Sequence, residues 1–303
     1  MTRFIVGWLV LLCSVLAQNN FASADNHARD YLPAPPGCLG VLLYYNHSWA
    51  DTLYGDGNNV ADNLDFSGDV GTARFVYFYM LGSFEFYSNL IIPFGHLAFE
   101  LPGEQDFSAS GLADPILQSG VWFYQNNQSK TWAGVTTYVF PPLGNYDNKG
   151  VLSLGANQWR FREELNLTQG FSVLPGHNAY FELTIAGDFF TDNDDFGPAS
   201  QNRSKDPILT VESHLSYDVT RTLFASTDYY YHHGGKTNIE GIDQQDNLSN
   251  HTLGASLAYN LTPRFQVLLQ YLNDVEVESG PKSQAIMTRF LYICDLSYLF
   301  RRP

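Results

Sequence analysis

Apolar and polar residues alternate with a period of two along much of this chain. From Pro263, the side chains of Phe265, Val267, Leu269 and Tyr271 share one face, with Gln266 and Gln270 on the other. Leu253, Ala255, Leu257 and Tyr259 oppose Gly254, Ser256, Ala258 and Asn260 in the same way. Val211, Leu215 and Tyr217 oppose Glu212, His214 and Ser216, and Phe181, Leu183 and Ile185 oppose Glu182 and Thr184. Successive side chains of a strand point to opposite sides, so this is the pattern of β-strands with one apolar face. Twelve runs of this kind, or rich in aromatics, are predicted as strands: residues 38–49, 70–80, 84–94, 112–125, 130–140, 157–170, 178–190, 207–218, 222–233, 250–260, 263–274 and 283–293. Several are long for globular strands but suit tilted membrane crossings.

The connections alternate in length. Tight turns are expected at 81–83, 126–129, 171–177, 219–221 and 261–262, and long polar loops separate the other neighbours. One rim of short turns and one of long loops is the asymmetry of an outer-membrane barrel. The expected fold is therefore all-β: a transmembrane antiparallel β-barrel of about 12 strands over residues 38–293. An even strand number puts both ends on the short-turn, periplasmic side. Aromatics near strand ends, such as Tyr44, Tyr45, Trp49, Tyr138, Phe140 and residues 229–231, fit the headgroup level. Core aromatics of a β-sandwich are the alternative explanation for them.

Residues 1–24 resemble a signal peptide, with Arg3, an apolar run over 4–16 and a small-x-small pattern at Ala22, Ser23 and Ala24. Cys13 raises a lipoprotein reading, but Leu12 before it is bulky. Residues 25–37 are expected to form a periplasmic N-terminal segment, and 294–303 a C-terminal tail. Around Pro35, Pro36 and Gly37 that segment either enters or caps the lumen or serves as a rigid lead-in. No later stretch supplies the roughly 20 apolar residues of a helical span. The formal charge of -15 disfavours nucleic acid as a partner. Cys38 and Cys294 fall in the first and last runs, which closure would set side by side, so a disulfide is conceivable.

The inward-facing charged residues are expected to be Arg74, Arg160, Arg162, Glu164, Glu182, Asp188, Glu212, His214 and Asp228. Buried charges must be paired or hydrated, so they either brace the wall or line a solute path. The candidate lumen-lining and transport residues are Arg74, Arg160, Arg162, Glu182, Glu212, His214 and Asp228. Arg160 with Glu182, and Glu212 with Asp228 or His214, are expected pairs on neighbouring strands. Asp56, Asp62, Asp65 and Asp69, and then Asp192, Asn193, Asp194 and Asp195, are calcium ligands in type but lack an ordered loop spacing. His232 and His233 suit a rim better than a metal centre. No zinc spacing, G-x-S-x-G, Walker or dinucleotide pattern occurs, so neither catalytic residues, metal nor cofactor is expected. A barrel-wall lipid hydrolase like the outer-membrane phospholipases is a rival reading, but no serine is visibly oriented toward His214.

Several segments together resemble the outer-membrane proteins named for the meta-pathway of phenol degradation, loosely grouped with fatty-acid-transporter-type barrels. They are residues 28–37, with Arg29, Asp30, Tyr31, Pro33, Pro35, Pro36 and Gly37; Asp69 to Arg74; Pro93, Phe94 and Gly95; and 111–115 with Trp122. Residues 142–147, 155–159 and 191–193 follow, then Asp206 and Pro207, His214 with Tyr217 and Asp218, Asp228 and Tyr229, and 234–237. The match runs from about residue 28 to 290. It implies a role in taking up hydrophobic or aromatic compounds and transfers no catalytic site. Members of that family usually finish soon after the last strand on an aromatic, whereas here Phe300 lies three residues before the end of the chain.

The expected function is passive, facilitated diffusion of small hydrophobic or aromatic compounds across a Gram-negative cell outer membrane. Exposed rings on the loops would capture the solute and a polar wall would release it. The expected partners are outer-membrane lipids and lipopolysaccharide, the solute, and the barrel-assembly machinery. A structural or adhesive barrel without transport, and a lipid hydrolase, are the alternatives.

Overall fold

The computed structural model describes residues 25–100 and 106–296. Its strands are β1 (Cys38–Gly55), β2 (Asn58–Leu81), β3 (Phe84–Glu100), β4 (Phe107–Leu112), β5 (Ile116–Asn126), β6 (Thr131–Phe140), β7 (Arg160–Leu174) and β8 (His177–Phe190). They continue as β9 (Asn193–Phe196), β10 (Gln201–Lys205), β11 (Ile208–Asp218), β12 (Leu223–Gly234), β13 (Thr237–Ile239), β14 (Ile242–Asp243), β15 (Leu248–Thr262), β16 (Phe265–Glu276) and β17 (Gly280–Asp295). The wall runs β2-β1-β17-β16-β15-β12-β11-β8-β7-β6-β5-β3, and pairing of β3 with β2 closes it. All of these pairings are antiparallel, so this is a closed barrel of twelve wall strands, with β4 prolonging the fourth one beside the far end of β3. Closure pairs the backbone groups of every wall strand on both sides, which is what hydrocarbon demands.

The two faces separate as the alternation requires. Leu215, Leu253, Leu257, Tyr259, Leu269 and Phe290 stand about half exposed on the outside. Glu212, Asp228, Ser256, Gln270 and Arg289 are buried inside. Four of the short turns sit where expected, at Gly82 and Ser83, 127–130, Pro175 and Gly176, and 219–222, while the fifth falls at Pro263 and Arg264 because the expected turn residues 261–262 end β15.

Three expectations change. The polar stretch between the first two runs is not a loop. β1 and β2 stay paired out to Gly55↔Asn58, across a turn in which Asp56 and Gly57 both have positive φ, as a tight hairpin turn requires. Aspartates and asparagines at the outer positions mask the alternation there, while Leu53, Leu64 and Phe66 stay buried on the inner face. The fourth run breaks at residues 113–115, just where Pro115 has no N–H to donate, and Leu112 belongs to β4. The cysteines do not form a disulfide. Register pairs Cys38 with Asp295 and Leu39 with Cys294, so the two thiols point to opposite faces and both are free.

The long-loop end is covered. Ala50, Leu53, Leu64, Phe66, Leu97 and Phe99 form an apolar cluster with Leu152 and Leu154 of the 141–159 loop. Asp114 fastens that loop by accepting from the backbone N–H groups of Gly144 and Ala156, each at 2.8 Å. Gly144 and Gly155 lie so close that a Cβ on either would meet the other's backbone within 3 Å. The remaining long loops carry a second, four-stranded sheet, in the order β14-β13-β10-β9.

Residues 25–32 of the expected periplasmic segment are instead found within the barrel, hydrogen-bonded to its inward-facing residues, whereas Pro35 and Pro36, around which lumen entry was expected, are exposed. Residues 33–37 lead out to β1, where the Gly37 N–H donates to the Phe78 carbonyl at 2.8 Å. β17 runs to Asp295, two residues past the expected end of the barrel. The expected signal peptide, with Cys13, and most of the expected tail, with Phe300, lie outside the described residues.

Candidate functional site

The lumen is where chemistry-bearing side chains gather. Arg74, Arg160, Arg162, Glu164, Glu182, Asp188, Glu212, His214 and Asp228 all lie on wall strands with little or no exposure, on the inner face. The pairings differ in part from those expected. Arg160 is opposite Phe190, while Glu182 is opposite Thr168, so these two charges do not meet. Arg160 instead donates to Asp188 at 2.5 Å, and Arg162 donates to the same carboxylate at 3.0 Å. Glu164, Asp25 and Glu212 lie 3.5, 3.7 and 3.9 Å from Arg162. Of the partners expected for Glu212, His214 lies 4.0 Å away through one ring nitrogen, while its other ring nitrogen pairs with Asp228 at 2.9 Å. Asp228 also accepts from Ser226, Ser256 and Gln270.

The 25–32 segment occupies the space between these walls. Glu212 accepts from both the backbone and the side-chain N–H of Asn26, each at 3.1 Å, and Tyr230 donates to the Asn26 carbonyl at 2.9 Å. Glu182 accepts the Arg29 backbone N–H at 2.6 Å. The Arg29 side chain reaches Asp218 at 2.7 Å and lies 4.0 Å over the ring of Phe224. Arg29 itself takes a left-handed φ of 71°, a conformation that side chains other than glycine resist and that its surroundings must impose. Tyr31 hydrogen-bonds Glu164 and Tyr138, and Trp122 donates to the Tyr31 carbonyl. On the opposite wall, one carboxylate serves two cations: Asp30 accepts from Arg289 at 2.6 Å and from Arg74 at 3.2 Å.

Cavities flank the segment. Toward the long loops, about 260 Å³ is lined by Asp25, Arg160, Arg162, Asp188, His232 and polar residues of β1, β15 and β17. A middle cavity of about 150 Å³ combines apolar Val70, Ile91, Ile116 and Met287 with Gln118 and Gln270. Toward the short turns, about 250 Å³ is bounded by Leu42, Val76, Phe78, Trp122 and Phe224, with Arg29, Arg74 and Arg289. Asp25, Asn46 and Val70 are shared by the first two cavities, and Arg74 by the last two. The cavities thus form a row past the segment.

Asn26, Arg29, Asp30, Tyr31 and Arg289 were not among the lumen residues expected from the sequence. Arg289 was findable, because Ile286, Phe290 and Tyr292 set the outward phase and leave it inward. The others were not, since nothing periodic marks a segment threaded through a lumen. Among the acidic loop residues, Asn193 is fully buried and is committed to Tyr146, Asn157 and the backbone N–H of Asp195. Among the described residues no cluster of three or more His, Cys, Asp or Glu side chains suits a metal ion. His232 faces Asp25 inside, and His233 stacks on Tyr231.

Comparison with known proteins agrees with this architecture. A family model described as "Putative MetA-pathway of phenol degradation" matches residues 50–290. The COG4313 outer membrane channel from Pseudomonas putida F1 superposes with a TM-score of 0.84 at 24% identity, covering 89% of this chain and 100% of that one. The transport unit of the autotransporter AIDA-I from Escherichia coli matches at a TM-score of 0.50 and 9% identity, over 94% and 96% of the two chains. The β domain of the Bordetella autotransporter Brka gives 0.50 and 6%, over 85% and 99%. No curated protein matches the sequence.

Proposed function

Because this chain belongs to the family of the phenol-degradation MetA-pathway, we propose that it is an outer-membrane channel through which small hydrophobic or aromatic compounds diffuse passively. The observation that carries this reading is the row of cavities alongside residues 25–32. It runs from a polar chamber under the long loops to a chamber with aromatic and aliphatic walls at the short-turn end. A dry cavity of about 150 Å³ already holds a benzene ring in a protein interior, so 250 Å³ suits a substituted arene. The fold shared with an outer membrane channel supports the same conclusion. Lipopolysaccharide around the outer rim and the barrel-assembly machinery are the partners this location implies. Arg74, Arg160, Arg162, Glu182, Glu212, His214 and Asp228 act by holding the segment and setting the polarity of the path, not by reacting with the solute.

The density of pairing in the lumen favours one other reading, a structural barrel whose interior is braced shut. Entry of a fluorescent arene, N-phenylnaphthylamine, into vesicles with a lipopolysaccharide outer leaflet separates the two. The channel reading expects protein to speed filling several-fold, in proportion to its amount and without an energy source. It also expects Glu212→Gln to change the rate, because Glu212 anchors Asn26. Equal filling with and without the protein contradicts the channel and leaves the structural barrel.

A further inference from the structure

The lining of the chamber at the short-turn end holds more cations than carboxylates. Three guanidinium groups border it, from Arg29, Arg74 and Arg289, and only one carboxylate, Asp30. Arg29 has its own partner in Asp218, outside the chamber lining, which leaves Arg74 and Arg289 to share Asp30. Their hydrogen bonds to other side chains go to neutral groups: Arg74 donates to Asn89, and Arg289 to Gln266. The Arg289 side chain is only 4% exposed, and its Nε has no hydrogen-bond partner. An arginine cannot shed its proton to escape this situation, and a buried charge without a full counter-charge is costly. Within the chamber lining, Arg74 and Arg289 thus face a single carboxylate, Asp30.

The remaining wall says what the anion is attached to. Phe78, Tyr87, Trp122 and Phe224 present ring surface, and Leu42 and Val76 present aliphatic surface. Planar guanidinium groups bind carboxylates by directed, charge-assisted hydrogen bonds and also stack on aromatic faces. We infer that this chamber is a binding site for an arene bearing one carboxylate, with the ring against Trp122 and Phe224 and the carboxylate on Arg289 and Arg74. The site deepens the channel reading by naming the charge of the favoured solute, and it rests on that reading for the solute's route.

Equilibrium dialysis of the protein in phospholipid nanodiscs tests the site without requiring flux. The probes are labelled benzoate and labelled benzyl alcohol, a ring of similar size without charge, at neutral pH and low salt. Benzoate is expected to bind about tenfold more tightly than benzyl alcohol, the worth of one hydrogen-bonded charge. Arg289→Gln should remove that preference and leave benzyl alcohol unchanged. Asp30→Asn should tighten benzoate binding, an effect in the direction that misfolding cannot produce. Inorganic phosphate, which has the charge but no ring, should displace benzoate poorly. Equal binding of the two probes, a preference that survives Arg289→Gln, or displacement by phosphate at concentrations matching benzoate would overturn the assignment. The channel reading fails separately, by absence of arene entry into vesicles even when benzoate binds as expected.

Discussion

Deletion of residues 26–32 is expected to raise the ionic conductance of the barrel in a planar bilayer several-fold. The wall does not depend on this segment: its strands are joined by continuous ladders that close through β2 and β3. The segment fills the middle of the lumen instead, with Asn26 on Glu212, Arg29 on Glu182 and Asp218, Tyr31 on Glu164, and Asp30 on Arg74 and Arg289. Taking it out merges the flanking cavities and leaves Glu164, Glu182 and Glu212 to be hydrated by the water that replaces it. Heat-modifiable migration in SDS gels reports whether the shortened barrel is folded. A folded variant with wild-type conductance would mean that the ions take a route that the segment does not obstruct.

Asp188→Ala should produce the largest loss of stability among single substitutions in the lumen. Asp188 is fully buried and is the carboxylate nearest to both Arg160 and Arg162. Without it, Arg160 loses its hydrogen-bonded carboxylate and keeps its position 4.4 Å over the Phe140 ring, and Arg162 keeps carboxylates at 3.5 Å and beyond. Breaking a buried pair by removing one partner costs about 3–5 kcal/mol. Urea unfolding in phospholipid vesicles, followed by tryptophan fluorescence, measures this. Asp192→Ala on an exposed loop should stay within about 0.5 kcal/mol. A loss below about 1 kcal/mol for Asp188→Ala would show that water or rearranged neighbours satisfy the two arginines, and that the triad does not brace the wall.

The wall was legible in the sequence because lipid imposes one rule on every strand: apolar side chains outward at every second position. That rule located Glu212, His214 and Asp228 on the inner face, and it would have located Arg289. It failed for the extended β1–β2 hairpin, where both faces leave the membrane and the outer positions turn acidic. Pairings were less legible than faces. Arg160 meets Asp188 and not Glu182 because register is set by the turn at Pro175 and Gly176, and a shift of a few residues exchanges every partner. The role of residues 25–32 was the least visible, since the contacts of Asn26 with Glu212, Arg29 with Glu182 and Asp30 with Arg289 join positions more than a hundred residues apart that only the closed barrel brings together.

The claim on which the rest depends is that this segment lies inside the closed wall, and the most direct test is the reactivity of a thiol at Ala28. That residue is fully buried, in a cluster with Phe224, Ala258, Leu268 and Met287. In a background with Cys38 and Cys294 changed to serine, Ala28→Cys should resist a polymer-linked maleimide while the protein is folded in lipid. It should react fully once unfolded, whereas Asp192→Cys on the exposed loop should label at once. Labelling of folded Ala28→Cys as fast as at position 192 would place the segment outside the barrel and contradict the account.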